Sequence, residues 1–443
     1  MARTKAFILI ASLMALHIAA LQVHSQSEAP SQILITNARV FDGKSDALAD
    51  GMNVLVEGNK IAKISKAKIA TSPGAMLIDA QGRVLMPGLI DCHIHLMAQM
   101  PFAQLRGSDD LWLAYVAEQQ AKVELMHGFT TVRDASGNTF SLKKAIDRGM
   151  VVGPRIYPSG PMISQTSGHA DHRMYNEPLK LLGSSLHFMS MTVDGEAQVL
   201  TAVREVLRHG ASQIKIASGG GTGSEYDPLD VVEFTPEETR AAVQAASDWG
   251  TYVTTHVYNP NGIQRAIEAG VKCIEHGNLV DEPTLQLMKE KGTWLSPQVL
   301  TFTRHPLGYT DDQKAKHDQA LAGIDNMFKL AKKIGFTKIV LGTDVITSPE
   351  VFAKNITELE LRTKWFTPVE VLKQATSRGG ELVALSGARN PYPGKLGVIE
   401  EGAYADLLLI DGNPLEDITV LTRSDQGLAL IMKDGKIYKN TVQ

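Results

Sequence analysis

Both ends of the chain carry short apolar runs broken by turn residues, a pattern typical of antiparallel β-structure. Near the start, Met52–Glu57 and Ile61–Ile64 flank a Gly-Asn-Lys turn and predict a hairpin. Near the end, Leu428–Met432 and Ile437–Tyr438 flank an Asp-Gly turn and predict another. Each group has too few strands to form a stable sheet alone, so we expect the two ends to combine. The pattern therefore predicts a small β-sandwich domain built from residues 26–87 and 393–443.

Between these ends, strand patterns alternate with helical ones. The alternation predicts an α/β fold, a (β/α)8 TIM-like barrel over residues 88–392, with an open doubly wound sheet as the alternative. Two helices have strong start signals, because Thr235–Glu238 and Thr367–Glu370 each combine a capping box with proline at the first helical position. The predicted strands are Gly88–Leu96, Thr130–Ala135, Arg155–Ser159, Gln213–Ala217, Tyr252–Tyr258, Val271–His276, Thr293–Pro297 and Lys338–Asp344.

Composition and charge exclude several classes of function. The chain has 443 residues, of which 44% are hydrophobic and 21% are charged, and its formal net charge is −4. There is no tract rich in Lys and Arg, so neither nucleic acid nor an anionic membrane is expected as a partner. The only two cysteines, Cys92 and Cys273, lie within predicted strands. We expect both to be buried apolar side chains and not part of a disulfide scaffold.

Residues 1–25 have the pattern of a secretory signal peptide. Arg3 and Lys5 precede the apolar run Ala6–Leu21, which is short for a membrane span, and Val23-His24-Ser25 offers a cleavage position. An uncleaved membrane anchor is the alternative. We therefore expect a secreted or periplasmic protein with no stable membrane insertion after the signal is removed.

Side chains of the types that bind metal ions lie in, or at the ends of, five predicted strands. Two histidines, His93 and His95, stand two residues apart in the first strand, so their imidazoles point to one face. Lys215 is flanked by two isoleucines, which makes a charged amine costly, although a lysine that extends to the barrel mouth is the alternative. Catalytic groups of barrels lie at the carboxyl ends of the strands, so we expect convergence there. The candidate ligands are His93, His95, Lys215, His256, His276 and Asp344.

The order His-x-His, Lys, His, His, Asp resembles the amidohydrolase superfamily in its two-metal form with a carboxylated lysine. The tail Gly394–Asp406 also resembles that superfamily. Zinc is the expected ion for histidine and carboxylate ligands, although manganese, cobalt and iron stay open. The resemblance implies one metal on His93, His95 and Asp344, a second on His256 and His276, and a carbon dioxide adduct (a carbamate) of Lys215 as the bridge between them.

The resemblance also implies a mechanism and two substrate contacts. Two close cations would lower the pKa of a bridging water and so supply a hydroxide nucleophile near neutral pH. Asp344 would accept its proton and pass it to the leaving nitrogen. His169, in the loop after the third strand, and Tyr258, two residues after His256, are the expected substrate contacts. For Tyr258, a core aromatic residue at the barrel mouth is the alternative.

Other polar residues carry weaker signals. Ser218–Ser224 is rich in glycine but lacks the Gly-Lys-Ser/Thr ending of a nucleotide-binding loop, so a flexible active-site loop is expected. Arg133 and Asp134 end the second strand and are expected either to support the site or to pair with each other. The histidines expected to be structural or on the surface are His127, His172, His187, His209, His305 and His317.

Within the superfamily, the motifs look most like the group of Xaa-Pro dipeptidases and related carboxypeptidases, which includes hydrolases of N-acyl amino acids. We therefore expect a metal-dependent hydrolase that cleaves an amide bond next to a free C-terminal residue of a small-molecule substrate. Cyclic-amide hydrolases and lactonases share the two-metal pattern and stay open. Lys215 argues against a single-metal imidazolonepropionase, and the complete ligand set argues against a non-catalytic scaffold. Similar enzymes are often homo-oligomers, and the pattern leaves the oligomeric state open.

Overall fold

Strands dominate both ends of the chain, and strands alternate with helices between them. The computed structural model describes residues 32–179, 182, 184–185 and 187–442. The strands are β1 Gln32–Val40, β2 Ala49–Glu57, β3 Lys60–Ser65, β4 Met76–Asp79, β5 Val84–Pro87, β6 Leu89–Ile94, β7 Phe129–Asp134, β8 Arg155–Pro158, β9 Met162–Ser164, β10 Ser184–Ser185, β11 Ser190–Thr192, β12 Ile214–Ala217, β13 Val253–Val257, β14 Cys273–His276, β15 Trp294–Ser296, β16 Leu407–Ile410, β17 Leu428–Lys433 and β18 Lys436–Asn440.

The helices lie mainly in the central part of the chain. Both predicted capping boxes form, since the hydroxyls of Thr235 and Thr367 accept from the backbone N–H groups of Glu238 and Glu370. Within the described residues, no helix is both long enough and apolar enough to span a bilayer. The helices are α1 Phe102–Gly107, α2 Asp110–Met126, α3 Phe140–Asp147, α4 Glu196–His209, α5 Pro236–Asp248, α6 Pro260–Ala269, α7 Glu282–Lys291, α8 Asp311–Ile334, α9 Pro349–Phe352, α10 Glu358–Arg362, α11 Pro368–Gln374, α12 Ser377–Ala384, α13 Thr419–Thr422 and α14 Ser424–Gly427, with 3-10 turns at Leu300–Phe302, Asn355–Thr357 and Gly387–Arg389.

Strands from the two ends of the chain pair in one sheet. Its order is β18-β17-β16-β5-β1-β2-β3, with β4 also paired to β1. The ends meet where β16 runs antiparallel to β5, with Leu409 opposite Leu85. Ile35, Val54 and Leu409 point into a shared apolar core, as the two-residue period of a strand requires. The two ends therefore combine as their patterns predict, while the sandwich layering and the boundaries at 26–87, 393–443 and 88–392 stay predictions.

Seven of the eight central segments predicted as strands form strands, and each observed bound lies within two residues of the predicted one. They belong to two sheets, with orders β6-β7-β8 and β10-β11-β9-β12-β13-β14-β15. The sequence patterns did not reveal β9, which pairs with β12 through Ile163 and Ile216. All pairs among β12 to β15 are parallel, so their carboxyl ends lie at one edge. That edge carries the candidate site.

The prediction of a strand at Lys338–Asp344 was wrong, because this segment forms only an isolated bridge between Leu295 and Ile339. It nevertheless lies between β15 and β6, since Val340 N donates to Leu295 O at 3.1 Å and Cys92 N donates to Leu341 O at 2.8 Å. These bonds are too sparse for a ladder, and Asp344 leaves strand geometry with φ = 46°. Closure into a complete eight-stranded barrel stays a prediction.

The two cysteines behave as expected, since Cys92 and Cys273 are free and buried. The proposed signal peptide, residues 1–25, lies outside the described residues. Secretion or export to the periplasm therefore stays a prediction from the sequence.

Candidate metal centre and active site

His93 and His95 leave the end of β6 side by side. Their Nε2 atoms are 3.3 Å apart, and both side chains are largely buried. Asp91 holds the backbone here, because its carboxylate accepts from His93 N at 2.9 Å and from the Thr343 hydroxyl at 2.6 Å. The two-residue spacing thus places both imidazoles on one side of the strand, as predicted from the sequence.

The carboxylate of Asp344 lies close to these two histidines and to a third, His276. Its Oδ1 lies 3.0 Å from His95 Nε2 and 3.4 Å from His93 Nε2, while its Oδ2 lies 3.8 Å from His276 Nδ1. The positive φ of Asp344 and its N–H bond to His93 O at 2.8 Å direct the carboxylate inward. A carboxylate among three imidazoles is a donor set suited to a divalent transition metal.

His256 and His276 end the neighbouring strands β13 and β14. Their ring centroids are 4.5 Å apart, and that of His276 is 5.0 Å from His93. Burial lowers the pKa of His93 to about 4, and it lowers the pKa of His256 and His276 well below the usual range. All three imidazoles are therefore neutral near pH 7 and keep a lone pair for a metal.

Lys215 projects from β12 into the same cavity and is 1% exposed. Burial lowers the pKa of its amine to about 8, against the carboxylates of Glu275 and Asp344, which raise it. A fraction of the amine is therefore uncharged and nucleophilic at neutral pH. The structure thus brings all six predicted ligands to one cavity, and their chemistry fits a pair of divalent cations.

A buried carboxylate that the sequence reasoning missed, Glu275, fixes the orientation of His93. Its Oε2 is 2.7 Å from His93 Nδ1, and its Oε1 accepts from Arg133 Nη2 at 2.6 Å and from the Thr254 hydroxyl. Although burial raises its pKa, Arg133 and His93 hold the pKa of Glu275 well below the usual range. Because a charged carboxylate only accepts, His93 Nδ1 donates and its Nε2 is free for a metal.

Arg133 and Asp134 do not pair with each other. Arg133 contacts Glu275 and donates to Cys92 O, which supports the first predicted role for this arginine. Asp134 accepts from Leu96 N at 3.1 Å, and burial raises its pKa to about 7. The sequence contained one signal for a role of Glu275 in the site. This glutamate directly precedes a ligand histidine on a strand that is otherwise apolar.

His169 stacks on His256 at the cavity wall. The ring centroids are 3.7 Å apart and the planes differ by 9°. Its Nδ1 is 2.9 Å from Ser224 Oγ and 3.4 Å from Asp227 Oδ2. The loop 218–224 passes directly over this ring, and a Cβ added at Gly221 would overlap the imidazole. The glycine-rich segment is therefore part of the cavity wall.

Tyr258 lies between the metal-type ligands and the cavity mouth. Its ring centroid is 5.1 Å from those of His256 and His276. The residue is 2% exposed and lines the cavity, a position compatible with both a substrate contact and a core aromatic residue at the barrel mouth. Burial raises the pKa of Tyr258 well above its usual range, so the phenol keeps its proton.

These side chains line one cavity of about 420 Å³. That volume suits a small molecule. Apolar side chains form much of its wall, and Arg106 and Tyr309 add polar groups that were not foreseen from the sequence. The apolar wall residues include Leu105, Met162, Met189, Phe302 and Ile346.

Residues 84–438 match the model of the amidohydrolase family. The chain belongs to this family. The match implies a TIM-barrel type of fold with a further domain, and members of this family generally bind a divalent metal. The family predicted from the order of ligands is thus confirmed.

Proteins similar to this amidohydrolase include an ochratoxinase, a prolidase and an Xaa-Pro dipeptidase. Ochratoxinase of Aspergillus niger is 33% identical over 385 residues, which cover 80% of this chain and 76% of that protein. A prolidase structure complexed with N-methylphosphonate-L-proline is 33% identical, with a TM-score of 0.86 over 93% of this chain and 100% of that one. An Xaa-Pro dipeptidase with bound methionine in the active site is 31% identical, with a TM-score of 0.82 and the same coverage. This protein is a hydrolytic enzyme of the metal-dependent, amide-cleaving kind.

Proposed function

We propose that this amidohydrolase cleaves the amide bond next to a free C-terminal residue, as in a dipeptide or an N-acyl amino acid. The observation that carries the proposal is the single cavity that joins six metal-type ligands to two polar aromatic side chains, His169 and Tyr258. The prolidase and ochratoxinase neighbours support the same class of substrate.

Each ligand has a role in this proposal. Lys215 would hold the metal pair as the carbamate that its uncharged amine forms with carbon dioxide, a reaction that releases one proton to solvent. The bound cations would lower the pKa of a water molecule between them and polarise the scissile carbonyl. His93, His95 and Asp344 would hold one ion, and His256 and His276 would hold its neighbour.

The chain's own residues supply the proton path and the orientation. Asp344 lies within 3.4 Å of two ligand imidazoles, so its carboxylate is close to the reacting water. It accepts the proton of that water as the oxygen bonds to the carbonyl carbon. As the carbon–nitrogen bond breaks, Asp344 returns the proton to the leaving nitrogen. The protonated Tyr258 donates to the free carboxylate of the substrate, and His169, whose Nδ1 faces the Ser224 hydroxyl, is the second substrate contact at the cavity wall.

The experiment that tests the proposal is amino-acid release by the zinc-loaded protein. The panel contains Xaa-Pro dipeptides, other dipeptides, N-acyl amino acids and C-terminally amidated copies of each. We expect release that needs the free carboxylate and stops when a chelator removes the metal. Equal cleavage of the amidated copies would contradict the proposed carboxylate contact, and no release from any compound would shift the substrate to cyclic amides or lactones.

A second experiment tests whether Lys215 is needed to hold two metal ions. Lys215→Ala should lose metal and most of the activity, because it removes a proposed ligand, and even the loss of a residue that only orients a ligand typically costs about 10–100-fold in metal affinity or activity. Lys433→Ala is the matched control, since Lys433 is also buried but donates to Gly153 O away from the cavity. Full activity and two bound metals in Lys215→Ala would contradict the two-metal assignment.

A further inference from the structure

A second group of metal-type side chains lies at the rim of the cavity. His305 follows β15 and the 3-10 turn at Leu300–Phe302, whereas His317 and Asp318 lie in the second turn of α8. His305 Nε2 is 2.7 Å from Asp318 Oδ1, and the two imidazole centroids are 5.1 Å apart. One ligand atom from each of the three residues lies within 4.8 Å of the other two.

His317 carries an unused buried lone pair. The residue is 2% exposed, and its Nε2 is 3.3 Å from the carbonyl oxygen of Thr301. Because a carbonyl only accepts, Nε2 carries the hydrogen and Nδ1 is the basic nitrogen of the neutral ring. Within the described part of the chain, this buried Nδ1 has no hydrogen-bond partner. A backbone carbonyl that fixes one ring nitrogen while the other stays free is the usual arrangement around a metal-binding histidine.

The basic side chains around this group are held by other partners. Arg304 Nη2 contacts the Ser348 hydroxyl and lies 3.7 Å from Glu350. Lys314 Nζ lies 3.0 Å from Asp311 in the first turn of α8. Lys316 Nζ donates to Ser224 O at 2.7 Å. The carboxylate of Asp318 is therefore oriented toward His305 and not toward a lysine or arginine of its own helix.

We propose that His305, His317 and Asp318 form a zinc site separate from the candidate catalytic centre. Two imidazoles and one carboxylate suit zinc, whereas magnesium and calcium prefer sites built from oxygen ligands. A zinc ion would take the place of the hydrogen between His305 Nε2 and Asp318 Oδ1, with His305 as the tautomer that carries its hydrogen on Nδ1, and would accept the free lone pair of His317 Nδ1. A water molecule completes four-coordination. Tyr258 and Phe302 lie between this site and the catalytic ligands, with centroids 6.3 Å apart.

The zinc ion ties a segment of the cavity wall to α8. Residues 306–310 lie between the two histidine ligands in the sequence, and each of them lines the cavity. His317 lines it as well and packs on Phe302 at 5.2 Å between centroids. Occupancy of the site therefore sets the position of one side of the cavity mouth, independently of the reaction proposed above.

The test is a zinc titration of the full-length protein by equilibrium dialysis, with metal counted by mass spectrometry. His305→Gln and Asp318→Asn alter partly exposed side chains and keep their size. Each should bind one zinc ion per chain fewer than the unmodified protein. His209→Gln is the matched control, because His209 Nε2 also pairs with a carboxylate, Glu205, at 3.1 Å. It should leave the zinc count unchanged.

Limited digestion with trypsin gives a second readout that does not depend on activity. Zinc should slow cleavage after Arg304 in the unmodified protein and in His209→Gln, and this protection should be lost in His305→Gln and Asp318→Asn. Equal zinc counts in the unmodified protein, His305→Gln and Asp318→Asn would contradict the proposal of this zinc site. Loss of one zinc ion from His209→Gln as well would assign the effect to ordinary surface histidines and would also overturn it.

Discussion

At the scale of single residues, the candidate centre depends on a carboxylate that is not itself a predicted ligand. Glu275 connects the ligand His93 to the buried guanidinium of Arg133, and all three side chains are at most 1% exposed. The negative charge of Glu275 offsets the free-energy cost of burying the positive charge of Arg133. It also sets which imidazole nitrogen faces the metal.

Glu275→Gln should therefore weaken zinc binding about 10–100-fold through His93. It should also destabilise the fold by about 3–5 kcal/mol, because the charge of Arg133 loses its buried partner. Competition with a chromogenic chelator measures the affinity, and urea unfolding measures the free energy. Glu358→Gln is the control, since Glu358 pairs with the buried Arg362 at 2.7 Å away from the cavity. Equal loss of zinc affinity in both variants would contradict the role of Glu275.

At the scale of elements, the strand ends and the loop 218–224 together shape the cavity. The parallel strands β12, β13 and β14 bring Lys215, His256 and His276 to one edge. The glycine-rich loop lies directly against the ring of His169, which stacks on the ring of His256. Glycine is needed at position 221 because a side chain there has no room beside the imidazole.

Gly221→Ala should displace the loop or the His169 ring while leaving the metal ligands in place. We expect kcat/KM for the amide substrate to fall about 10²-fold, as a misplacement of about 1 Å can do, with unchanged zinc content. Steady-state kinetics and metal analysis of the same samples check this. Gly107→Ala is the control, because a Cβ there meets nothing within 4 Å. Loss of zinc in Gly221→Ala would instead point to a disturbed metal centre.

At the scale of the whole molecule, ion pairs join the central strands to the sheet formed by the chain ends. Arg155 on β8 contacts Asp406, just before β16, at 3.0 Å, and Asp434, between β17 and β18, at 2.5 Å. Burial raises the pKa of Asp434, but Arg155, Asn59 and Lys433 together outweigh burial, so the pKa is lowered overall. The two parts of the molecule are thus coupled through one largely buried guanidinium.

Asp406→Asn should lower the free energy of unfolding by about 1.5–3 kcal/mol, the value typical of a hydrogen bond to a charged group. Asp434 has a lower pKa in the folded than in the unfolded state. Its stabilising effect is therefore complete above its unfolded value of about 3.9 and is lost as the pH falls through the folded value. The urea concentration at the midpoint of unfolding should be measured as a function of pH. Its decrease below about pH 4 should be smaller in Asp434→Asn than in the unmodified protein.

The surface pair of Arg39 and Asp50 provides the control for these measurements. Asp50 has a side chain that is 74% exposed, so Asp50→Asn should cost no more than about 1 kcal/mol. If Asp50→Asn and Asp406→Asn lowered the free energy of unfolding equally, burial would not strengthen the coupling between the chain ends and the central strands.

Much of the site was accessible from the sequence, because its ligands follow local rules. The spacing of His93 and His95 determines that both imidazoles share one side of a strand, and the isoleucines beside Lys215 indicate that this lysine lies on a buried strand. The order of ligands along the chain was enough to predict the family. Seven strand positions and both capping boxes also follow from patterns within a few neighbouring residues.

Only the tertiary structure decided which distant residues meet. Glu275 approaches His93 and Arg133 from a third strand, and His305 meets His317 through a loop whose course has no local period. The segment 338–344 fits a strand by its apolar pattern, but its bonds depend on how β15 and β6 lie on either side. The physical reason is that hydrophobic periodicity and turn propensity act over a few residues. Contacts between remote side chains depend instead on how the whole chain packs.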